Sequence, residues 1–129
     1  MYKAVIDASA LLAFIKDEHI PLNELESLLP KAVISSVNAC EVATVMSRLG
    51  IPKNTIRGLI EETVGEIIPF TKAQSFIAGN LWEVTKAYGL SLGDRACLAL
   101  AQQMNLPVYT ADKIWSKLKL ENIIINLIR

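Results

Sequence analysis

The chain is poor in the residues that most often announce a function. It has one histidine, two cysteines and no excess of charge of either sign. Cys40 and Cys97 form no Cys-x-x-Cys pair and have no histidine at ligand spacing, which leaves no zinc site to assemble. Both sit in helical patterns among apolar neighbours and read as reduced, buried thiols. His19 stands in the polar loop KDEHIP, where a solvated side chain is a better reading than a general base. Thirteen Lys and Arg balance thirteen Asp and Glu. A domain that coats nucleic acid through bulk electrostatics is usually basic, so that class is disfavoured. An enzyme with an acidic centre and a local basic rim is not. No Gly-rich phosphate loop is present, which argues against a nucleotide cofactor.

Long apolar runs are missing too. The longest wholly apolar stretch is about six residues, far short of the ~20 that a membrane span needs. MYKAVID enters a strand-like run directly, without the apolar core and small-residue cleavage site of a signal peptide. The expectation is a cytoplasmic protein with no membrane partner. Internal repeats, low-complexity tracts and linkers are also absent, and 129 residues with 52% hydrophobic content are best read as a single domain, 1–129.

What is present is an alternation of short apolar runs with helical periodicities. Tyr2–Ile6, Ala32–Ser35, Glu66–Pro69, Pro107–Thr110 and Asn122–Asn126 read as strands. Helices are expected over Ala8–Lys16, Pro21–Leu29, from the Ser36 cap to Leu49, and over Lys53–Val64. A long one runs from the Thr71 cap to Tyr88 and closes at Gly89; two more cover Asp94–Asn105 and Asp112–Leu118. The Asp94–Asn105 segment is apolar nearly all round and should be buried. Strands separated by helices imply a parallel sheet covered on both faces, an α/β fold whose site lies beyond the C-terminal strand ends.

That edge is where the acids fall. Asp7 and Asp112 each follow an apolar strand, and Glu41 and Asp94 lie in or at the first turns of helices that can start there. Each aspartate alone is explained by helix capping, and Glu41 alone by an ordinary helix glutamate. Capping accounts for the three aspartates together but not for Glu41. Carboxylates gathered in one pocket repel, and a bound cation is the usual remedy, which points to a metal-dependent hydrolase. Ser9 and Thr110 could hydrogen-bond a carboxylate or a metal-bound water, or simply the local backbone. Arg95 and Lys113 could contact a phosphate at the rim, or be ordinary solvated side chains. Trp82 and Trp115 read as core residues rather than base-stacking platforms.

The segments VIDASALLAF, SSVNACEVATVM, LSLGDRACLALA and VYTADKIW, in this order, resemble the PIN-domain ribonucleases. Within them the chain looks like a toxin of the VapC type from toxin–antitoxin pairs, and the likeness covers essentially its whole length. The resemblance implies a three-layer α/β/α sandwich with a central five-stranded parallel sheet, and Mg²⁺- or Mn²⁺-dependent endonucleolytic cleavage of RNA. Asp7, Glu41, Asp94 and Asp112 match the family's acidic quartet as catalytic residues and metal ligands, and Ser9 and Thr110 match hydroxyl positions beside it. It further implies a homodimer, neutralised by a small antitoxin whose C-terminal segment lies over the acidic groove. The charged loop KDEHIPLNELE is individual to this chain and could shape the choice of RNA.

Three rivals remain. A haloacid-dehalogenase-type phosphatase would want an Asp or Thr where Ser9 stands and a late Asp–Asp pair. A phospho-accepting receiver would want paired acids after the first strand. A catalytically silent PIN scaffold acting in protein binding differs from the nuclease only in activity.

Overall fold

The computed structural model describes residues 1–16 and 22–128. His19 lies outside the described residues. Five strands, β1 (Ala4–Ile6), β2 (Ala32–Ser35), β3 (Glu66–Ile68), β4 (Val108–Thr110) and β5 (Ile125–Leu127), form one all-parallel sheet in the order β3-β2-β1-β4-β5. The chain builds outward from β1 through β2 to β3, then returns to the other side of β1 with β4 and β5. The order therefore reverses between β1 and β4, the kind of place where open α/β sheets bind ligands, beyond the C-terminal strand ends.

Every residue of β1 and β2 is buried, as strands covered on both faces must be. The period-2 alternation divides them between two cores. Ile6, Ala32 and Ile34 point to one face, against residues of α1 (Ala8–Ile15), α2 (Leu22–Leu28), α3 (Ser36–Arg48) and α4 (Lys53–Thr63). Val5, Val33 and Val108 point to the other, against Leu81, Trp115 and the Cys97, Leu98, Leu100 and Ala101 side chains of α7 (Leu92–Met104). The expected three layers follow from this split. Cys97 is buried as expected and Trp115 fully so, whereas Cys40 is exposed. Among the described residues no helix is long and apolar enough to cross a membrane.

Several elements differ from their sequence-based bounds. The expected long helix from Thr71 to Tyr88 is broken. It forms α5 (Lys72–Asn80), α6 (Trp82–Thr85) and a 3-10 turn at Lys86–Tyr88. The break follows Gly79 and Asn80, both poor helix formers. It lets Leu81 and Thr85 turn inward, with the Thr85 hydroxyl donating to the Leu81 carbonyl at 2.8 Å. Gly89 then ends the segment at φ 69°, as a left-handed C-terminal glycine does. Trp82 is half exposed rather than a core residue, with the Lys86 ammonium 4.8 Å from its ring centroid. β5 begins three residues later than expected because its register is set by pairing with β4, Val108 to Ile125 and Thr110 to Leu127. Lys113–Lys117 is a 3-10 helix rather than an α-helix.

Candidate active site

Asp7 ends β1 at the point where the strand order reverses, and its amide still donates to Tyr109 of β4. Its side chain caps α1, accepting from the Ala10 amide at 2.9 Å. Capping and clustering are thus not alternatives here. The same carboxylate accepts the Thr110 hydroxyl at 2.6 Å and the Ser9 hydroxyl at 2.8 and 2.9 Å from its two oxygens. Each hydroxyl also accepts a backbone amide, Ser9 from Ala111 at 2.9 Å and Thr110 from Asp112 at 3.0 Å. Those amides orient the oxygens so that both hydroxyl hydrogens face Asp7. Only 3% of Asp7 is exposed. Burial pushes its pKa up to about 6 against the opposing pull of the Thr110, Ala10 and Ser9 hydrogen bonds, and the charge of Asp94 adds to the rise.

Asp94 is the expected start of α7, but the helix begins two residues earlier, at Leu92, and Asp94 sits in its first turn. Ser91 is the actual cap. Its hydroxyl accepts from the Asp94 amide at 3.2 Å while the Asp94 carboxylate accepts from the Ser91 amide at 2.9 Å, a reciprocal capping box. This leaves the other carboxylate oxygen free of hydrogen bonds within the box. Burial raises the Asp94 pKa, opposed by the Ser91 hydrogen bonds; the Asp112 charge adds to the rise and Arg95 counters it.

Glu41 lies on α3, which Ser35 caps. The Asn38 side-chain amide donates to Glu41 Oε1 at 2.7 Å and to the Gly93 carbonyl at 3.0 Å. Asp112 caps the 3-10 helix after β4, accepting from the Ile114 amide at 3.2 Å, and is exposed. One probe of their grouping is Cys97, one turn along α7 from Asp94. Its thiol is pushed well up, first by burial and then by the charges of Asp7, Asp94 and Glu41. Asp7, Asp94 and Glu41, carried on separate elements, thus lie near enough for their charges to add to the effect of burial on Cys97.

The acids do not close into a ready-made cage. Among the described residues no three His, Cys, Asp or Glu side chains are grouped so as to hold an ion. The donor chemistry still fits a hard divalent cation, with oxygen-only donors. Asp7 and Asp94, moreover, are held above the usual carboxylate range in part by neighbouring acids. Of the basic candidates, Lys113 is exposed, whereas Arg95 is half-buried and its Nη1 donates to the Ala78 carbonyl at 3.0 Å, tying α7 to α5.

Two residues of this site escape a reading of acids and hydroxyls. One is Asn38. Its Asn-x-x-Glu spacing places both side chains on one helix face, which is the signal that could have revealed it. The other is Gly93, where an added Cβ would stand 2.5 to 2.6 Å from the Glu41 carboxylate.

The PIN domain family profile matches residues 4–120. No curated protein matches in sequence. Among solved structures, a toxin–antitoxin complex from Klebsiella pneumoniae superposes with a TM-score of 0.73 at 21% identity, covering 95% of this chain and 96% of that one. A DNA-bound VapBC complex from Salmonella typhimurium gives 0.74 at 12% identity with 100% of both chains covered. A sarcin-ricin-loop-cleaving VapC toxin of Mycobacterium tuberculosis gives 0.70 at 16%, covering 88% and 93%. At these identities the structures attest the fold, and the profile match attests the family: the chain belongs to the PIN domain family.

Proposed function

We propose that this chain is a Mg²⁺- or Mn²⁺-dependent endoribonuclease and the toxin of a toxin–antitoxin pair. The observation that carries the reading is Asp7. It is a buried carboxylate at the strand-order reversal, held by two oriented hydroxyls and facing the field of Asp94. A cap needs no buried charge, and that supports reading the Asp7 carboxylate as functional.

Asp7 and Asp94 would be the central metal ligands, with Glu41 and Asp112 completing the site. A bound divalent ion supplies Lewis-acid stabilisation of phosphoryl charge and a more acidic water. The protein does the rest. Ser9 and Thr110 fix the Asp7 carboxylate so that it need not reorganise during the reaction. The capping box fixes Asp94, and exposed Lys113, next to Asp112, would meet a backbone phosphate. RNA is the proposed substrate because the family resemblance implies it and because the Mycobacterium tuberculosis neighbour is described as cleaving the sarcin-ricin loop. A protein antitoxin is the proposed partner because several neighbours were solved as toxin–antitoxin complexes. Exposed Phe76, Trp82, Val84 and Leu92 supply apolar surface that an antitoxin or a second copy in a homodimer could cover.

That no ion-holding group is assembled among the described residues favours one second reading, a PIN scaffold that binds proteins without cutting RNA. Purified protein freed of any antitoxin decides between them on structured RNA with Mg²⁺ or Mn²⁺, with EDTA, and with Asp94→Asn as the contamination control. The nuclease cuts only as wild type with metal. The scaffold neither cuts nor binds divalent ions.

A further inference from the structure

We infer that Asn38 is a positioning residue that holds Glu41 at a fixed place relative to Asp94. The inference rests on the metal-dependent reading above and deepens it. Asn38 is 1% exposed and lies one turn before Glu41 on α3. Its amide spends both hydrogens on acceptors, Glu41 Oε1 at 2.7 Å and the Gly93 carbonyl at 3.0 Å. The opposite amide orientation would aim its carbonyl at two oxygens that can only accept, so the chemistry admits one orientation. In that orientation Oδ1 is buried without a partner.

A buried, unpaired carbonyl is destabilising, and a leucine would fill the same space without it. What asparagine adds is the pair of N–H groups, one of them in a charge-assisted bond to the carboxylate. Gly93 forms the other wall. Its φ is not left-handed, so no turn requires glycine there. A Cβ would lie 2.5 Å from Glu41 Oε1 and 2.6 Å from both Cδ and Oε2. The Glu41 carboxylate is therefore seated between an amide donor and bare backbone, and that backbone immediately precedes Asp94. Asn38 joins α3 to the first turn of α7 and so fixes the relation between two acids carried on separate helices. Such supports outside a metal's ligand set usually tune its affinity.

The test is Mn²⁺ affinity by calorimetry at pH 7.5 for wild type, Asn38→Leu, Glu41→Gln and the double variant, with melting curves of the metal-free proteins. Asn38→Leu removes two donated bonds along with the unpaired carbonyl, so it should fold and melt modestly below wild type, yet bind Mn²⁺ about 10- to 100-fold more weakly. That deficit should shrink to about twofold or less in the Glu41→Gln background, since Asn38 acts through Glu41. Asn38→Ala replaces the leucine variant if the latter does not fold, with the same expectation for affinity. Unchanged Mn²⁺ binding in the Asn38 variant overturns the inference, as does a deficit that persists in full beside Glu41→Gln, or a Glu41→Gln protein that binds like wild type. A wild type that binds no Mn²⁺ instead overturns the nuclease reading itself.

Discussion

The two corners of the site hold their carboxylates by different means. Asp7 is buried and held by hydrogen bonds from three groups, and it carries an electrostatic penalty in exchange. Glu41 is half-buried, is touched by one amide donor, and is located as much by the missing side chain of Gly93 as by any bond. One corner is tied by hydrogen bonds and burdened by buried charge; the other is seated by shape. The contrast teaches that membership of one acidic group does not imply one energetic role. Asp7 should dominate how the metal-free fold responds to pH and ions, while Glu41 should matter chiefly when an ion is present.

The largest effect that could break this picture is catalytic. Asp94→Asn keeps a capping acceptor for Ser91, so it should fold normally yet lose RNA cleavage by about 100-fold or more, beyond what a change outside the ligand set causes. Single-turnover cleavage of a labelled RNA measures it, and near-wild-type rates would remove Asp94 from the machinery.

Stability sharpens the contrast between the corners. The folded pKa of Asp7 is raised from 3.8 to about 6. The native state therefore holds the proton more tightly than the unfolded chain, and this group's contribution to stability falls as pH rises through that window. At pH 7.5 the full penalty applies, up to about 3 kcal/mol at about 1.4 kcal/mol per unit. Asp7→Asn removes that penalty and keeps the acceptor for the Ala10 amide, but its NH2 group replaces one acceptor of the Ser9 and Thr110 hydroxyls; the metal-free protein should therefore gain less than that amount, with the gain vanishing toward pH 4. Glu41→Gln, still able to accept from Asn38, should stay within about 0.5 kcal/mol of wild type. Urea denaturation at both pH values checks both claims.

Thr110→Val should act in the opposite sense. It removes the 2.6 Å donor to Asp7 and the acceptor for the Asp112 amide, costing about 2 kcal/mol. It also lifts the Asp7 pKa further, so the acidic limb of the pH–rate profile should move to higher pH. The smallest effect belongs to the rim. Lys113→Ala should weaken RNA binding across sequences and reduce the salt slope of binding by about one, with kcat little changed.

Much of this was legible in the sequence because strand ends and helix starts follow from local pattern. The apolar runs placed β1, β2 and β4 within about a residue or two of their observed bounds, and so placed Asp7, Thr110 and Asp112 at one edge. Less legible was whatever depends on partners distant in the chain. The register of β5 comes from β4, and the break after Gly79 and Asn80 is completed by Leu81 and Thr85 packing into the core. Cys40 beside apolar neighbours looked buried, but on α3 it faces outward while Asn38 and Ala39 face in. Asn38 and Gly93 stand out little because neither is an acid. The Asn-x-x-Glu spacing is a local hint of the Asn38–Glu41 pair, but the contact of Asn38 with Gly93 across 55 residues is one that no local pattern encodes.

The central claim is that buried negative charge at Asp7 is a liability which a divalent ion relieves. The most direct test is to melt wild type and Asp7→Asn at pH 7.5 with EDTA and with Mn²⁺. The account predicts that Asp7→Asn melts higher than wild type in EDTA, and that Mn²⁺ raises the wild-type midpoint while leaving the variant nearly unmoved. Equal midpoints in EDTA together with equal responses to Mn²⁺ would contradict it.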